Sequence, residues 1–213
     1  MLAIFDADGT LFDSGGDLAD AINATRRSLG LTPKPEDEII SYIGDGIGKL
    51  VSRSIPELPL PLEQLVKLQV ENYRACYLNR TRLYPRVAET LARLRDGGWI
   101  MAVATNKNRD LAEQILAGLG IAEFFGAVVG GGDCERNKPH SDPLLLAAQK
   151  CGTVLSRADW MVGDNHTDLA AGAAAGVRCC FCKFGLGHPG GLRYDAAIDS
   201  FGQLAELLTG RNG

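Results

Sequence analysis

The stretch Ile4-Phe5-Asp6-Ala7-Asp8-Gly9-Thr10-Leu11-Phe12-Asp13-Ser14, almost at the start of the chain, decides how the rest is interpreted. Its apolar beginning, Leu2–Phe5, predicts a buried strand, and two aspartates follow directly, one residue apart. In an open α/β sheet the loops after the carboxyl ends of the strands form the ligand crevice, so Asp6 and Asp8 fall where a ligand binds. Gly9 permits a tight turn whose N–H groups can face an anion. Taken alone, the Asp-x-Asp-Gly pattern is also typical of an ordinary turn.

Short apolar runs recur along the chain and alternate with helical patterns. The runs predicted as strands are Leu2–Phe5, Trp99–Ala104, Ala127–Val129, Trp160–Val162, Arg178–Phe184 and Ala196–Ile198. The patterns predicted as helices between them are Val87–Asp96, Arg109–Leu119, Asp142–Cys151 and Asp168–Ala175. Most runs are continuously apolar, as is typical of parallel strands covered on both faces. The alternation predicts an α/β fold with a Rossmann-like, doubly wound parallel sheet.

Residues 14–82 break this alternation. The segment contains no convincing strand pattern and predicts four helices instead: Asp17–Leu29, Pro35–Ile43, Ile47–Ile55 and Leu62–Leu78. An all-helical block inserted after the first strand of an α/β sheet indicates a second, smaller domain. We therefore expect an α/β core formed by residues 1–13 and 83–213, and an inserted helical domain formed by residues 14–82, which we call the cap.

Composition excludes several classes of function. The chain has 213 residues and a net charge of −4, which disfavours a nucleic-acid partner because binding a phosphate backbone needs a concentrated basic face. It has no apolar stretch of membrane-spanning length and no start typical of a signal peptide, so we expect a cytoplasmic protein without a membrane partner. The cluster Cys179-Cys180-Phe181-Cys182 lies in an apolar run and is interpreted as buried structural residues. The sequence does not distinguish a monomer from a homodimer.

Three further polar segments follow apolar runs or precede a helix. They are Thr105-Asn106, Lys138-Pro139 and Gly163-Asp164-Asn165-His166-Thr167-Asp168. Taken singly, each has a plainer interpretation as a helix cap or a surface charge. Because the carboxyl ends of parallel strands meet at one edge of a sheet, we expect the segments to gather there. A hydroxyl, an amide and an ammonium group can then surround a phosphate, with carboxylates beside it.

These segments, together with Asp6-Ala7-Asp8-Gly9-Thr10, resemble the four motifs of the haloacid dehalogenase-like (HAD) superfamily in its phosphatase branch. The resemblance runs from Leu2 to about Gly187 and includes a helical cap between the first and second motifs. Tyr42-Ile43-Gly44-Asp45-Gly46 and Leu83-Tyr84-Pro85 are similar to the phosphoglycolate phosphatase-like subgroup, which has a C1-type cap. The resemblance implies a Mg²⁺-dependent phosphatase that acts on a small phosphomonoester, with 2-phosphoglycolate as the best candidate.

The resemblance also implies residue roles. Asp6 is the nucleophile that forms an aspartyl-phosphate, and Asp8 is the general acid and then the general base. The phosphate is held by Thr105, Asn106, Lys138 and Gly9. The metal is bound by Asp6, Asp164 and the backbone carbonyl of Asp8, while Asp168 holds a metal-bound water or supports Lys138. Physical chemistry agrees, since a carboxylate is ionised at neutral pH and a hard cation offsets the charge of several carboxylates.

The cap is expected to select the substrate, because a lid that closes over a site brings its own groups to the leaving group. The candidate residues are Gly44, Asp45, Gly46 and Lys49, with Arg53 one turn further on. Lys49 or Arg53 could pair with a substrate carboxylate, although cations at i and i+4 also fit a solvated helix face. One departure from the family is Asn165, where many relatives carry serine.

Several alternatives stay open. A sugar phosphate, a nucleotide or pyrophosphate could use the same core, and a phosphomutase of the β-phosphoglucomutase type shares the core motifs. A haloacid dehalogenase is disfavoured, because Asp8 is the carboxylate that dehalogenases of the family lack. A non-catalytic phosphate-binding protein is the remote alternative, since all four motifs are intact.

Overall fold

A computed structural model describes residues 1–57 and 60–210 of the chain. Its strands are β1 (Leu2–Phe5), β2 (Phe12–Asp13), β3 (Arg82–Leu83), β4 (Ile100–Asn108), β5 (Ala127–Gly131), β6 (Trp160–Gly163), β7 (Arg178–Cys182) and β8 (Ala196–Ile198). Its helices are α1 (Gly15–Ser28), α2 (Glu36–Ile40), α3 (Ile47–Ser54), α4 (Leu62–Arg74), α5 (Val87–Asp96), α6 (Arg109–Gly118), α7 (Asp142–Lys150), α8 (His166–Ala175) and α9 (Leu204–Thr209). Within the described ranges, no helix combines the length and the apolar character that crossing a lipid bilayer requires.

Six strands form one sheet in the order β5-β4-β1-β6-β7-β8, and every neighbouring pair is parallel. β1 lies in the middle, where Ile4 is opposite Ala102 of β4 on one side and Met161 of β6 on the other. The prediction of a doubly wound parallel sheet is confirmed. This register places the carboxyl ends of β1, β4 and β6 side by side.

Both faces of the sheet are covered, which explains why its strands are continuously apolar. Alternate residues of β1 point to opposite sides: Phe5 joins a large apolar cluster with α5, α6 and α9, and Ile4 joins a smaller one with α7 and α8. The larger cluster continues into the cap, where Ile22 and Leu65 belong to it. Cys179, Cys180 and Cys182 are buried in β7, as their apolar context indicated.

The chain enters and leaves the cap through a two-stranded antiparallel ribbon. In this ribbon Phe12 of β2 is opposite Leu83 of β3. The buried carboxylate of Asp17, in the first turn of α1, holds the returning chain. Its Oδ1 accepts a hydrogen bond from the backbone N–H of Arg80 at 2.9 Å, and its Oδ2 accepts from the backbone N–H and the hydroxyl of Thr81 at 2.9 and 2.7 Å. The two connections of the cap are therefore tied to each other.

Several element boundaries differ from the sequence-based expectation. β4 continues beyond Ala104 to Asn108, because it pairs again with β5 at Gly131 after an irregularity in register. α2 and α4 end earlier than predicted, and α8 begins two residues earlier, at His166. The ribbon and α9 were not predicted, since two-residue strands and a single short helix carry too few apolar repeats to be recognised.

Candidate active site

The four polar segments converge at the carboxyl edge of the sheet. Asp6 follows β1, Thr105 lies in the last part of β4, and Asp164 follows β6. These three side chains belong to buried residues, as do Lys138 and Asp168. Five polar or charged groups therefore share one desolvated space, which requires that they satisfy one another or a ligand.

Lys138 is the buried cation of this group. Its Nζ donates to Asp6 Oδ1 at 2.8 Å and to Asp168 Oδ1 at 2.6 Å, and its side chain is 1% exposed. Burial on its own would lower the pKa of Lys138, but the carboxylates of Asp168 and Asp6 outweigh this effect and hold the pKa above its ordinary value. The ammonium group stays charged beside Asp6 and can attract a phosphate.

The Asp164 carboxylate is held by three hydrogen bonds and lies against the backbone of Gly9. Its Oδ1 accepts from the hydroxyl of Thr10 at 3.0 Å, and its Oδ2 accepts from the backbone N–H groups of Leu186 and Gly187 at 2.9 and 2.8 Å. Gly9 has a φ of +82°, and a Cβ atom there would lie 2.1 Å from Asp164 Oδ2. Glycine is therefore required where the chain after β1 passes this carboxylate.

Three carboxylates offer the ligand set of a hard divalent cation. One oxygen from each of Asp6, Asp164 and Asp168 lies within 4.8 Å of the others. Burial raises the pKa of Asp6 to about 6 in spite of the Lys138 ammonium. Burial, with the nearby Asp6 and Asp168 carboxylates, also raises the pKa of Asp164 well above its ordinary value. The single ammonium of Lys138 therefore does not fully stabilise the ionised carboxylates, whereas a divalent cation would, and oxygen ligands of this kind suit Mg²⁺.

Asp168 is the carboxylate that joins Lys138 to the start of α8. Oδ1 accepts from Lys138, and Oδ2 accepts from the backbone N–H of Asn165 at 2.9 Å as part of the capping box that begins α8. Asp168 therefore fixes the position of the Lys138 ammonium beside Asp6.

Asp8 lies outside the three-carboxylate group and contacts a cation that the sequence analysis missed. Lys107 Nζ donates to Asp8 Oδ1 at 2.9 Å and to Oδ2 at 3.1 Å, and the hydroxyl of Ser14 also donates to Oδ1. Burial would lower the pKa of Lys107, but the Asp8 carboxylate outweighs it and raises the pKa. The signal that could have identified Lys107 is its position directly after Thr105-Asn106, on a strand that was predicted to end at Ala104.

A cavity of about 60 Å³ lies between the core and the cap, above Asp6 and Asp8. The core side contributes Thr105, Asn106 and Lys107, and the cap side is mainly apolar: Leu18, Ile43, Ile47, Leu50, Val70 and Tyr73. Lys107 Nζ lies 4.6 Å from the centre of the Tyr73 ring. Burial raises the pKa of Tyr73 to about 12 against the effect of Lys107, so its phenol is protonated at neutral pH.

The cap contacts the core through the loop that contains Gly44. Asn106 Nδ2 donates to the carbonyl of Gly44 at 3.2 Å and to the carbonyl of Lys138 at 3.1 Å. On its other side Gly44 faces Asn165, whose Nδ2 would lie 2.2 Å from a Cβ atom at position 44. Asn106 therefore holds the cap loop by a hydrogen bond, and Asn165 packs closely against the same loop.

The cap residues expected to select the substrate separate into two groups. Gly44 and Gly46 line the cavity, whereas Lys49 does not. The Asp45 carboxylate, which is 8% exposed, pairs with Arg53 at 2.7 Å and with Lys49 at 3.8 Å, and both cations are largely exposed. His166 Nε2 lies 3.7 Å from the other Asp45 oxygen. Lys49 and Arg53 thus surround Asp45 on the outside of the loop.

Known proteins share both the sequence and the fold of this chain. A family model described as haloacid dehalogenase-like hydrolase matches residues 3–182. A phosphoglycolate phosphatase of Chromobacterium violaceum is 37% identical, over 98% of this chain and 96% of the relative, and one of Haemophilus influenzae is 33% identical over 96% of each. The crystal structure of a predicted phosphoglycolate phosphatase from Haemophilus somnus superposes with a TM-score of 0.89, at 29% identity, and covers 97% of this chain and 96% of that one. With these matches and the convergent motifs, the chain belongs to the haloacid dehalogenase-like hydrolases.

Proposed function

We propose that this protein is a Mg²⁺-dependent phosphatase that hydrolyses a small phosphomonoester, with 2-phosphoglycolate as the best candidate. The observation that carries the proposal is the buried group formed by Asp6, Asp164, Asp168 and Lys138 at the carboxyl edge of the sheet. The curated relatives named phosphoglycolate phosphatase support the choice of substrate.

The reaction proceeds in two steps on the residues of this chain. Asp6 attacks phosphorus and forms an aspartyl-phosphate, while Asp8 protonates the ester oxygen as its bond to phosphorus breaks. Asp8 then takes a proton from a water molecule that attacks the phosphorus and releases Asp6. Lys138, Thr105 and the backbone N–H of Asn106 hold the phosphoryl oxygens, since phosphoryl transfer depends mainly on positioning and charge stabilisation.

The residues present fit a divalent cation. Asp6, Asp164 and the backbone carbonyl of Asp8 would hold Mg²⁺, and Asp168 would orient Lys138 as it does in the structure. When bound, the metal supplies positive charge against the phosphoryl oxygens and the clustered carboxylates. Residues 14–82 act as the cap, which excludes bulk water from the cavity while Gly44 is held by Asn106.

The test is phosphate release from a panel of phosphomonoesters with and without Mg²⁺. We expect turnover that depends on Mg²⁺ and is highest, by kcat/KM, for the smallest substrates. Asp6→Asn keeps the size of the side chain but removes the nucleophile, and should lower kcat by at least about 10³-fold while the thermal unfolding curve shows a folded protein. Retained turnover in Asp6→Asn, or no turnover of any ester by the wild type, would refute the proposal.

A further inference from the structure

The wall of the cavity on the cap side is poorly suited to a leaving group rich in hydroxyls. Ile43, Ile47, Leu50 and Val70 offer no hydrogen-bonding side chain, and a sugar placed against them would leave polar groups unpaired, at a cost in binding. The volume of about 60 Å³ has room for roughly four to six water molecules, which matches a leaving group of a few heavy atoms. A compact leaving group is therefore favoured over a nucleoside.

Lys107 is the one cationic side chain among the described residues that line this cavity. An ammonium group has three donors, and the two oxygens of Asp8 account for two of them. Because Asp8 is the group that protonates the ester oxygen, Lys107 stands beside the first atoms of the leaving group. A carboxylate carbon two bonds from that oxygen, as in 2-phosphoglycolate, would come within its reach.

Tyr73 supplies a second donor without a partner. The residue is 2% exposed and lines the cavity, and its hydroxyl proton has no acceptor among the described residues, since the neighbouring Lys107 ammonium is itself only a donor. A buried hydroxyl in this position costs free energy unless a ligand pairs with it. Its ring lies under the Lys107 ammonium, so the unpaired donor and the cation are neighbours.

We propose that Lys107 and Tyr73 together bind a carboxylate on the leaving group and so select 2-phosphoglycolate-like substrates. This inference rests on the proposed function and moves the recognition of the carboxylate from Lys49 or Arg53 to a cation of the core and a phenol of the cap. A carboxylate bound there is contacted by both domains, which ties substrate selection to closure of the cap.

The test compares 2-phosphoglycolate with its carboxamide analogue, which has the same size but no charge on the leaving group. Tyr73→Phe keeps the ring and removes only the hydroxyl, and the ratio of kcat/KM for the two substrates should fall roughly tenfold. Lys107→Gln should lower that ratio further, together with the rate on both substrates, because it also releases Asp8. Tyr77→Phe is the matched control, since Tyr77 packs edge-on against Tyr73 and is not among the residues that line the cavity; its ratio should stay at the wild-type value.

Calorimetric titration separates this inference from the proposed function. In the Asp6→Asn background, with Mg²⁺ present, the same two ligands can be bound without turnover, and Tyr73→Phe should reduce the preference for the carboxylate by a similar factor. A wild type that hydrolyses no ester would refute the proposed function but leave this preference measurable. An equal loss of kcat/KM on both substrates in Tyr73→Phe, or no preference for the carboxylate in the wild type, would overturn the inference.

Discussion

Replacing Gly44 by alanine tests whether the closed position of the cap is required for catalysis. Gly44 has a φ of +114°, and a Cβ atom there would lie 2.2 Å from Asn165 Nδ2. The cap loop and the Asn165 side chain, whose Oδ1 caps α8, must separate by about 1.2 Å before this contact reaches the ordinary 3.4 Å. Since a misplacement of about 1 Å can cost about 10²-fold in rate, kcat/KM for 2-phosphoglycolate should fall about 100-fold.

Two variants separate the clash from backbone strain. Gly30→Ala is the matched control, because Gly30 also has a positive φ (+75°) but nothing within 4 Å of its Cβ position. It should lose about 1–2 kcal/mol of stability, measured by urea unfolding, with kcat/KM unchanged. In an Asn165→Ser background, which removes the obstructing amide but keeps a capping hydroxyl for α8, Gly44→Ala should cost less than about 10-fold. A wild-type kcat/KM in Gly44→Ala, or the same loss in both backgrounds, would refute this reasoning.

Two further predictions concern the metal and the connection of the cap. Mg²⁺ at about 100 times its Kd should stabilise the protein by about 2.7 kcal/mol and raise Tm by about 5–10 °C. Folding raises the pKa of Asp6 from 3.8 to about 6, so the folded protein binds this proton more tightly than the unfolded chain does. Protonated Asp6 therefore adds to the free energy of unfolding below pH 3.8, and this contribution is lost as the pH rises through about 6. A proton on Asp6 competes with the metal, so the rise in Tm should shrink from pH 7.5 to 5.5, and a rise independent of pH would contradict this. Asp17→Asn should cost about 2–4 kcal/mol by urea unfolding, because an NH₂ group replaces one of two buried carboxylate oxygens and cannot accept the hydrogen bonds that Arg80 or Thr81 donates there. Asp20→Asn, the same change on the same helix at a side chain that is 55% exposed, should cost less than about 0.5 kcal/mol; equal losses would contradict the role of Asp17.

The residues at the carboxyl edge of the sheet could be predicted from short sequence patterns. The apolar runs identify the strands, and parallel strands present their carboxyl ends at one edge, so the meeting of Asp6, Thr105 and Asp164 could be predicted before any coordinates. Lys138 lies between Asp6 and Asp168, and its hydrogen bond to Asp168 is consistent with the expectation that Asp168 supports this lysine.

The contacts between the cap and the core could not be predicted in the same way. Tyr73 lies on α4 and Lys107 on β4, and the pattern around each residue is that of an ordinary helix or strand. They meet only because the cap packs on the core in one orientation. For the same reason the sequence could offer Lys49 as a candidate substrate contact but could not show that its ammonium lies 3.8 Å from Asp45, in the loop that precedes α3.

The ribbon formed by β2 and β3 has a consequence for how the protein can change over evolution. Because the helical segment departs and returns through strands that are already neighbours, exchanging it for another segment would leave every strand of the six-stranded sheet in place. Adjacent ends of this kind are where whole modules are most readily inserted or replaced. Changes in the inserted helical segment can therefore alter which leaving group is preferred, while the residues at the edge of the sheet that break the phosphate ester bond stay the same.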